Sequence, residues 1–398
     1  MEQAPYKSNL TYGSSVRNTA SFSFRIEVRP INRQTAPNKN TLSCAYYQLF
    51  SMAGFLQTGL PPEKGIFMKF DAVYYEPDSL SYPLGEQLKE QFSDLPWIPV
   101  ESHNSIEEMR KKENAEFGRM KRNLVIGIRK THKYTENHKV SDYLVPYTSS
   151  GCSAMCLYCY LVCHYNKCAY LRLFVNREQM LERLIKKGRS SPSPLTFEIG
   201  SNSDLILENT ITGNLLYTIP RFARENAGML TFPSKFHMVD SLLELPHEGK
   251  VIFRMSVNPQ PLIARYELGT SNLKKRIAAV NSMCEAGYPC GLLLAPVMLV
   301  EGWKGLYTEL LEQLRTGLTE KMQRQMFLEI ILMTYSFVHR AINNAAFPNT
   351  PDLYDSSLMI GRGKGKYCYR PEARAEAELY LRTEIKRILG NVAIRYIS

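Results

Sequence analysis

The sequence predicts an α/β fold: a partial (β/α)6 TIM-type barrel with a small N-terminal α/β cap. Three observations predict it. From Tyr170 onward, apolar runs of strand length alternate with amphipathic runs of helix length, the pattern of a parallel sheet flanked by helices. The strands end in polar tips such as "EIGSNSD" and "SVNPQ", as they do at the C-terminal rim of a barrel where a site is built. Upstream, two further strand patterns precede the alternation and supply the cap.

The elements follow in order. Residues 1–67 are rich in Ser, Asn, Thr and Gln without a sustained period, so an irregular extension is expected there. At Met68 the character changes, and Met68 is also placed to be an initiation codon. The cap is expected over 68–140: "AVYYE" reads as a strand, Pro77 opens a turn, an amphipathic segment runs from Leu84, and Leu124, Val125, Ile126 and Ile128 form a buried strand. The barrel is expected over 141–398. It begins with the short strand "DYLVPY" and continues through "YLRLFVN", "LTFEIGS", "MLTFPSK", "VIFRMSVN" and "CGLLLAPVML", each followed by a helix-like run. "FLEIILMTYSF" adds a strand near 327–337, "SLMIGRGKGKYCYRPE" interrupts the alternation with three glycines, and an amphipathic helix over 371–389 leads to a last short strand.

Lys and Arg outnumber Asp and Glu by 49 to 38, a bias toward polyanionic partners such as nucleic acid. The nine cysteines are clustered rather than distributed, which fits a reducing cytoplasm better than a secreted disulfide framework. The uncharged stretch Thr41–Leu60 lacks the continuous apolar content of a membrane span, and neither a signal peptide nor a membrane partner is expected.

Five cysteines fall in "TSSGCSAMCLYCYLVCHYNKC", residues 148–168. Cys152, Cys156 and Cys159 form CxxxCxxC, and three thiolates on one short loop reach three corners of a cubic iron–sulfur cluster. A structural zinc site wants four ligands and would recruit Cys163, His164 or Cys168. With only three ligands, one iron stays open to an exogenous group.

CxxxCxxC followed by the aromatic Tyr160 resembles the radical S-adenosylmethionine superfamily, and the resemblance extends to the spore photoproduct lyase family. It is carried by "EPDSLSYPLG", "LVIGIRKT", "MCLYCYL", "SKFHMVDSLL", "FRMSVN", "GTSNLKKRI", "EAGYPCGLLLAPV" with "EGW", and "GKGKYCY". The resemblance implies a radical S-adenosylmethionine carbon–carbon lyase holding one 4Fe-4S cluster. Such an enzyme reverses the methylene-bridged thymine dimer of ultraviolet-damaged double-stranded DNA by deoxyadenosyl radical chemistry. It also implies ferredoxin or flavodoxin as electron donor and the spore core as location. The residues alone leave open a radical enzyme on another substrate, or a non-catalytic zinc or iron–sulfur protein that binds DNA.

Roles follow from the resemblance at matched positions. Cys152, Cys156 and Cys159 are the cluster ligands, and Tyr158 and Tyr160 a hydrogen-atom relay. Ser201, Ser203, Lys235, Ser256 and Asn258 hold S-adenosylmethionine, whose carboxylate wants a cation and whose ribose wants hydroxyl or amide partners; Ser201 and Ser203 are equally suited to cap a helix. Arg362, Lys364, Lys366 and Tyr367 form a DNA-contacting hairpin, one residue shorter than "GRYGIGKY" and lacking its internal tyrosine. Lys121, Arg122, Arg129, Lys130, Lys133, Lys274, Lys275 and Arg276 are candidate phosphate contacts, and His237 a supporting residue. One departure matters most. Ser201 stands where many family members carry the cysteine that returns a hydrogen atom to the product, and a serine O–H bond is too strong for that task. Cys163 and Cys168 are the nearest thiols to take it over.

Overall fold

Two sheets organise the described chain, each parallel except for one antiparallel strand at an edge. The computed structural model describes residues 69–164 and 170–398, with the backbone alone at 163 and 164. The extension over 1–67, Met68, Cys168 and the side chain of Cys163 lie outside the described residues.

The larger sheet is the barrel. Tyr143–Leu144, Thr196–Glu198, Met229–Ser234, Val251–Val257, Cys290–Val297 and Phe327–Leu332 lie side by side in chain order, and every neighbouring pair is parallel. Ala393–Ile397 adds a seventh parallel strand at one edge, and Thr135–Glu136 an antiparallel one at the other. The edges do not pair with each other. Lys139 spans that seam instead, with its ammonium 4.4 Å from the centre of the Tyr396 ring.

The strands are apolar on both faces because both are covered. Leu230, Phe232, Phe253, Met255, Leu292, Leu294, Leu328 and Ile330 are buried in the core that also receives Leu184, Ile219, Val280, Leu310 and Leu381 from the helices. Each such side chain stabilises the fold by about 1.5–3 kcal/mol relative to exposure. Helix Pro371–Leu389, opened by proline at its first position, buries Ala377, Leu381, Ile385 and Ile388, a stripe at helical spacing.

The smaller sheet has the order Trp97–Pro99, Ala72–Tyr75, Asn123–Gly127, Leu171–Phe174, Ser149–Ser150. Leu171–Phe174, expected to open the barrel alternation, pairs in parallel with Asn123–Gly127 in this sheet. An apolar run declares a buried strand but not its partner. Two further expectations change. "FLEIILMTYSF" is not one strand: Phe327–Leu332 belongs to the barrel, and Thr334–Ser336 turns away to pair with Lys366–Tyr369. Helix Phe337–Ala346, unforeseen, then starts where the Ser336 hydroxyl accepts the His339 N–H.

Candidate active site

The cysteine window crosses the mouth of the barrel, held by backbone on both sides. Gly151 takes φ +74°, a left-handed turn natural to glycine, and its N–H donates to the Asn202 carbonyl at 2.7 Å. Met155–Cys156 pairs antiparallel with Glu267–Leu268, and the Leu157 N–H donates to Tyr266 at 2.9 Å. Beneath the loop, helix Phe337–Ala346 supplies two side-chain contacts. Asn343 Nδ2 donates to the Leu157 carbonyl at 2.7 Å, and His339 Nδ1 lies 3.0 Å from the Cys159 carbonyl. Burial pushes His339 down to about 4, so its neutral ring donates through Nδ1.

Cys152, Cys156 and Cys159 thereby line a single cavity of about 590 Å³ together with Tyr158, Tyr160, Ser201, Ser203, Lys235 and Ser256. All three are half-buried free thiols. Among the described residues no three His, Cys, Asp or Glu side chains converge closely enough to chelate one metal ion. Three thiols facing one cavity fit the corners of a larger cluster. Burial pushes the Cys152 thiol up to about 12 and Cys156 up as well, so the thiolates these positions would offer require a cationic partner such as iron. The donor set therefore fits a cluster.

Lys235 leaves the strand Met229–Ser234 at its C-terminal end. Its ammonium donates to Ser256 Oγ at 2.7 Å, to the Ala295 carbonyl at 2.8 Å and to Glu267 Oε1 at 3.1 Å. Glu267, fully buried, also ion-pairs with Arg276 and accepts from Tyr158 and Asn258. Burial would raise the Glu267 carboxyl, but Arg276 and then Lys235 hold it well below the usual range. Burial, and then the Glu267 charge, pushes the Tyr158 phenol far up. The Tyr160 ring is 51% exposed, and its hydroxyl donates to the Ser201 carbonyl at 2.6 Å.

Some expected residues are placed differently. Asn258 is fully buried and bonds Glu267 and Tyr307 rather than lining the cavity. Neither Ser201 nor Ser203 caps a helix: Asp204 does, accepting from Ile206 and Leu207 N–H at 3.2 Å each, while Ser203 Oγ accepts from Ser149 at 2.7 Å. Lys121 and Arg276 are buried, so they are not phosphate contacts; Lys121 donates to the Cys152 carbonyl. Arg122 pairs with Asp71 at the surface. His237 bonds Ser271 at 2.7 Å. Glu267, His339 and Asn343 were not anticipated: no pattern around them marks a side chain that reaches across the fold to a loop.

The hairpin forms as expected, with Met359–Gly363 antiparallel to Lys366–Tyr369. Its tip, Gly363, Lys364 and Gly365, has φ of +83°, +51° and +68°, and Arg362, Lys364 and Lys366 are exposed. Tyr367 is half-buried, stacked obliquely on Tyr354 at 4.2 Å.

Residues 68–398 match the family model described as spore photoproduct lyase. The chain belongs to the spore photoproduct lyase family. A spore photoproduct lyase of Bacillus subtilis is 33% identical over 335 residues, spanning 82% of this chain and 97% of the relative. One from a Geobacillus species is 31% identical, spanning 82% and 98%. A solved spore photoproduct lyase complexed with dinucleoside spore photoproduct superposes with a TM-score of 0.76 at 30% identity, covering 83% of this chain and 99% of its own. A solved double mutant with bound AdoMet and dinucleoside spore photoproduct gives 0.76 at 31%. The family's radical S-adenosylmethionine fold, a partial barrel, is the fold described above.

Proposed function

We infer that this chain is a DNA repair lyase that returns spore photoproduct, the methylene-bridged thymine dimer, to two thymines, using one 4Fe-4S cluster and S-adenosylmethionine. The observation that carries the reading is the convergence of three thiols, two tyrosines and Lys235 on one cavity at the C-terminal ends of the barrel strands. When bound, the cluster and S-adenosylmethionine supply the hydrogen-abstracting carbon radical.

The chain's own residues do the rest. Cys152, Cys156 and Cys159 anchor the cluster and leave one iron open. Lys235, set by Ser256 and Glu267, offers its charge to the cofactor's carboxylate, while Ser201 and Ser203 face the same space. Tyr158, deep and held by Glu267, and Tyr160, exposed at the mouth, form the hydrogen-atom relay. Ser201 cannot return hydrogen to the product, so Cys163 or Cys168 does. The smaller sheet acts as the cap, the larger as the barrel, and the hairpin contacts DNA, where Arg362, Lys364 and Lys366 meet phosphate and Tyr367 supports them. Ferredoxin or flavodoxin supplies the electron, in the cytoplasm of the spore core. Among the described residues no helix is long and apolar enough to cross a membrane.

Anaerobic reconstitution followed by turnover of dinucleoside spore photoproduct tests the reading. The expected result is about four iron per chain, as for a Cys-ligated cube, with release of thymines. An intact cluster without turnover would assign the chain to another substrate. Cys163→Ala and Cys168→Ala, assayed separately, identify the donor: one of them diverts the product, and unchanged repair in both removes the displaced-thiol idea.

A further inference from the structure

The hairpin carries charge at its tip but no exposed aromatic side chain of its own, since Tyr367 is half-buried. The structure places one beside it. Phe337 begins the helix that follows strand Thr334–Ser336, and its ring is 51% exposed, with Val338 next to it 45% exposed. Isolated exposed apolar residues are ordinary on soluble proteins. Phe337 differs in its support. Its N–H donates to the carbonyl of Gly365, the last residue of the hairpin tip, at 3.0 Å. Its ring packs edge-on against Tyr367 at 4.6 Å and 68°, Tyr367 packs on Tyr354 at 4.2 Å, and the Arg340 guanidinium closes the row 4.5 Å from Tyr354. Gly365 takes φ +68°, a left-handed turn natural to glycine, and a Cβ built there would meet the Phe337 ring at 3.4 Å, so the ring lies directly against the turn. The result is a braced aromatic row with one end open to solvent, flanked by Arg362, Lys364 and Lys366.

Cations interleaved with a rigid, half-open aromatic suit a polyanion whose rings stack. The site's chemistry adds a reason for such a ring here. A dimer buried in a duplex reaches a cavity only by leaving the stack, and the gap it leaves costs a few kcal/mol unless filled. Apolar side chains fill such gaps in proteins that open or kink DNA. Phe337 also opens the helix whose His339 ring bonds the Cys159 carbonyl, so one element carries both the exposed ring and a brace of the cysteine loop.

We propose that Phe337 enters the opened base stack of double-stranded DNA and occupies the space vacated by the flipped lesion, the hairpin cations holding the flanking phosphates. The proposal rests on the reading of this face as the DNA contact. It makes Phe337 a residue for the duplex and not for the chemistry of the dimer itself.

The test compares the full chain with Phe337→Ala and Phe337→Trp on two substrates: dinucleoside spore photoproduct, and a duplex carrying one lesion with 2-aminopurine opposite it. For Phe337→Ala, kcat/KM on the duplex relative to that on the dinucleoside falls about tenfold, the scale of one lost stacking contact. The 2-aminopurine fluorescence change on binding is lost with it, and Phe337→Trp restores both. Equal losses on the two substrates would mean that Phe337 acts through the helix beneath the cysteine loop, and would overturn the proposal. An unchanged fluorescence response in Phe337→Ala would overturn it too. A fluorescence response that depends on Phe337 without turnover of either substrate would leave the proposal standing and fail the repair reading instead.

Discussion

The three cluster cysteines are the residues most openly written in the sequence, since spacing alone puts them on one short loop. Their surroundings are not: Glu267, 108 residues after Cys159 in the chain, is the side chain that holds both Tyr158 and Lys235, and nothing about an isolated glutamate announces it. Cys156→Ala should reduce bound iron to background after anaerobic reconstitution and abolish reductive cleavage of S-adenosylmethionine, while far-ultraviolet circular dichroism stays that of the parent. Retention of about four iron by that variant would show that Cys156 is not a ligand. A second residue-scale prediction concerns the cap. Glu76 accepts from His103 Nδ1 at 2.8 Å and from the His103 and Ile128 N–H groups at 3.1 and 2.8 Å. Burial alone would raise its carboxyl, but these hydrogen bonds hold it at about 2 against an ordinary 4.5. A folded value below the unfolded one means stability present above about pH 4.5 and lost as pH falls toward 2. Glu76→Gln should therefore cost about 1–3 kcal/mol at pH 7, with the gap to the parent narrowing below pH 4.5. A pH-independent gap in urea titrations would contradict this account.

At the scale of elements, strands and long helices were legible because their periods are strong, and Pro371–Leu389 matches its expected limits. What stayed hidden were partners and breaks. Leu171–Phe174 joins the smaller sheet because pairing is decided by geometry far along the chain. The run 327–337 divides after Leu332, where Met333 N–H turns to the Val297 carbonyl and the next strand leaves for the hairpin. Helix Phe337–Ala346 is short, and its first residue closes the apolar run "FLEIILMTYSF", so the strand pattern before it hides where it starts. Yet it is the element that braces the cysteine loop, through His339 and Asn343. Replacing both by alanine should leave the barrel folded, because only one edge of the helix is altered, but should loosen the loop by about 1–3 kcal/mol per lost buried hydrogen bond. The measurable outcome is faster loss of iron from reconstituted protein during gel filtration or chelator challenge, with a thermal transition close to the parent's. Iron retention equal to the parent's would show that the backbone pairing of Met155–Cys156 with Glu267–Leu268 suffices on its own.

Across the whole molecule, an open barrel faces a problem that a closed one does not: its first and last strands lack partners on one side, and its lumen must still hold a shape. Side chains from four strands answer it. Arg254, 2% exposed, donates through Nη1 to both Glu329 oxygens at 3.2 and 3.0 Å, and its Nη2 lies 2.8 Å from Glu198. Tyr396, from the final strand, donates to Glu329 at 2.7 Å and carries Lys139 over its ring at the open seam. The group thus links strands Thr196–Glu198, Val251–Val257, Phe327–Leu332 and Ala393–Ile397 across the barrel interior. Burial pushes the Glu198 carboxyl up, and Arg254 opposes that. A buried pair is costly to form, and costlier still to break on one side, because the remaining charge is left without its partner. Glu329→Leu should accordingly destabilise the chain by about 3–5 kcal/mol, seen as a lower urea midpoint with an unchanged slope. Adding Arg254→Met should recover part of that loss, since it removes the guanidinium and leaves Glu198, whose carboxyl burial pushes toward the neutral form, and the recovery isolates the interaction from the cavity each change leaves. If the double variant is instead less stable than the single by the full cost of a second core substitution, Glu198 alone satisfies Arg254, and Glu329 braces the barrel by packing rather than by charge.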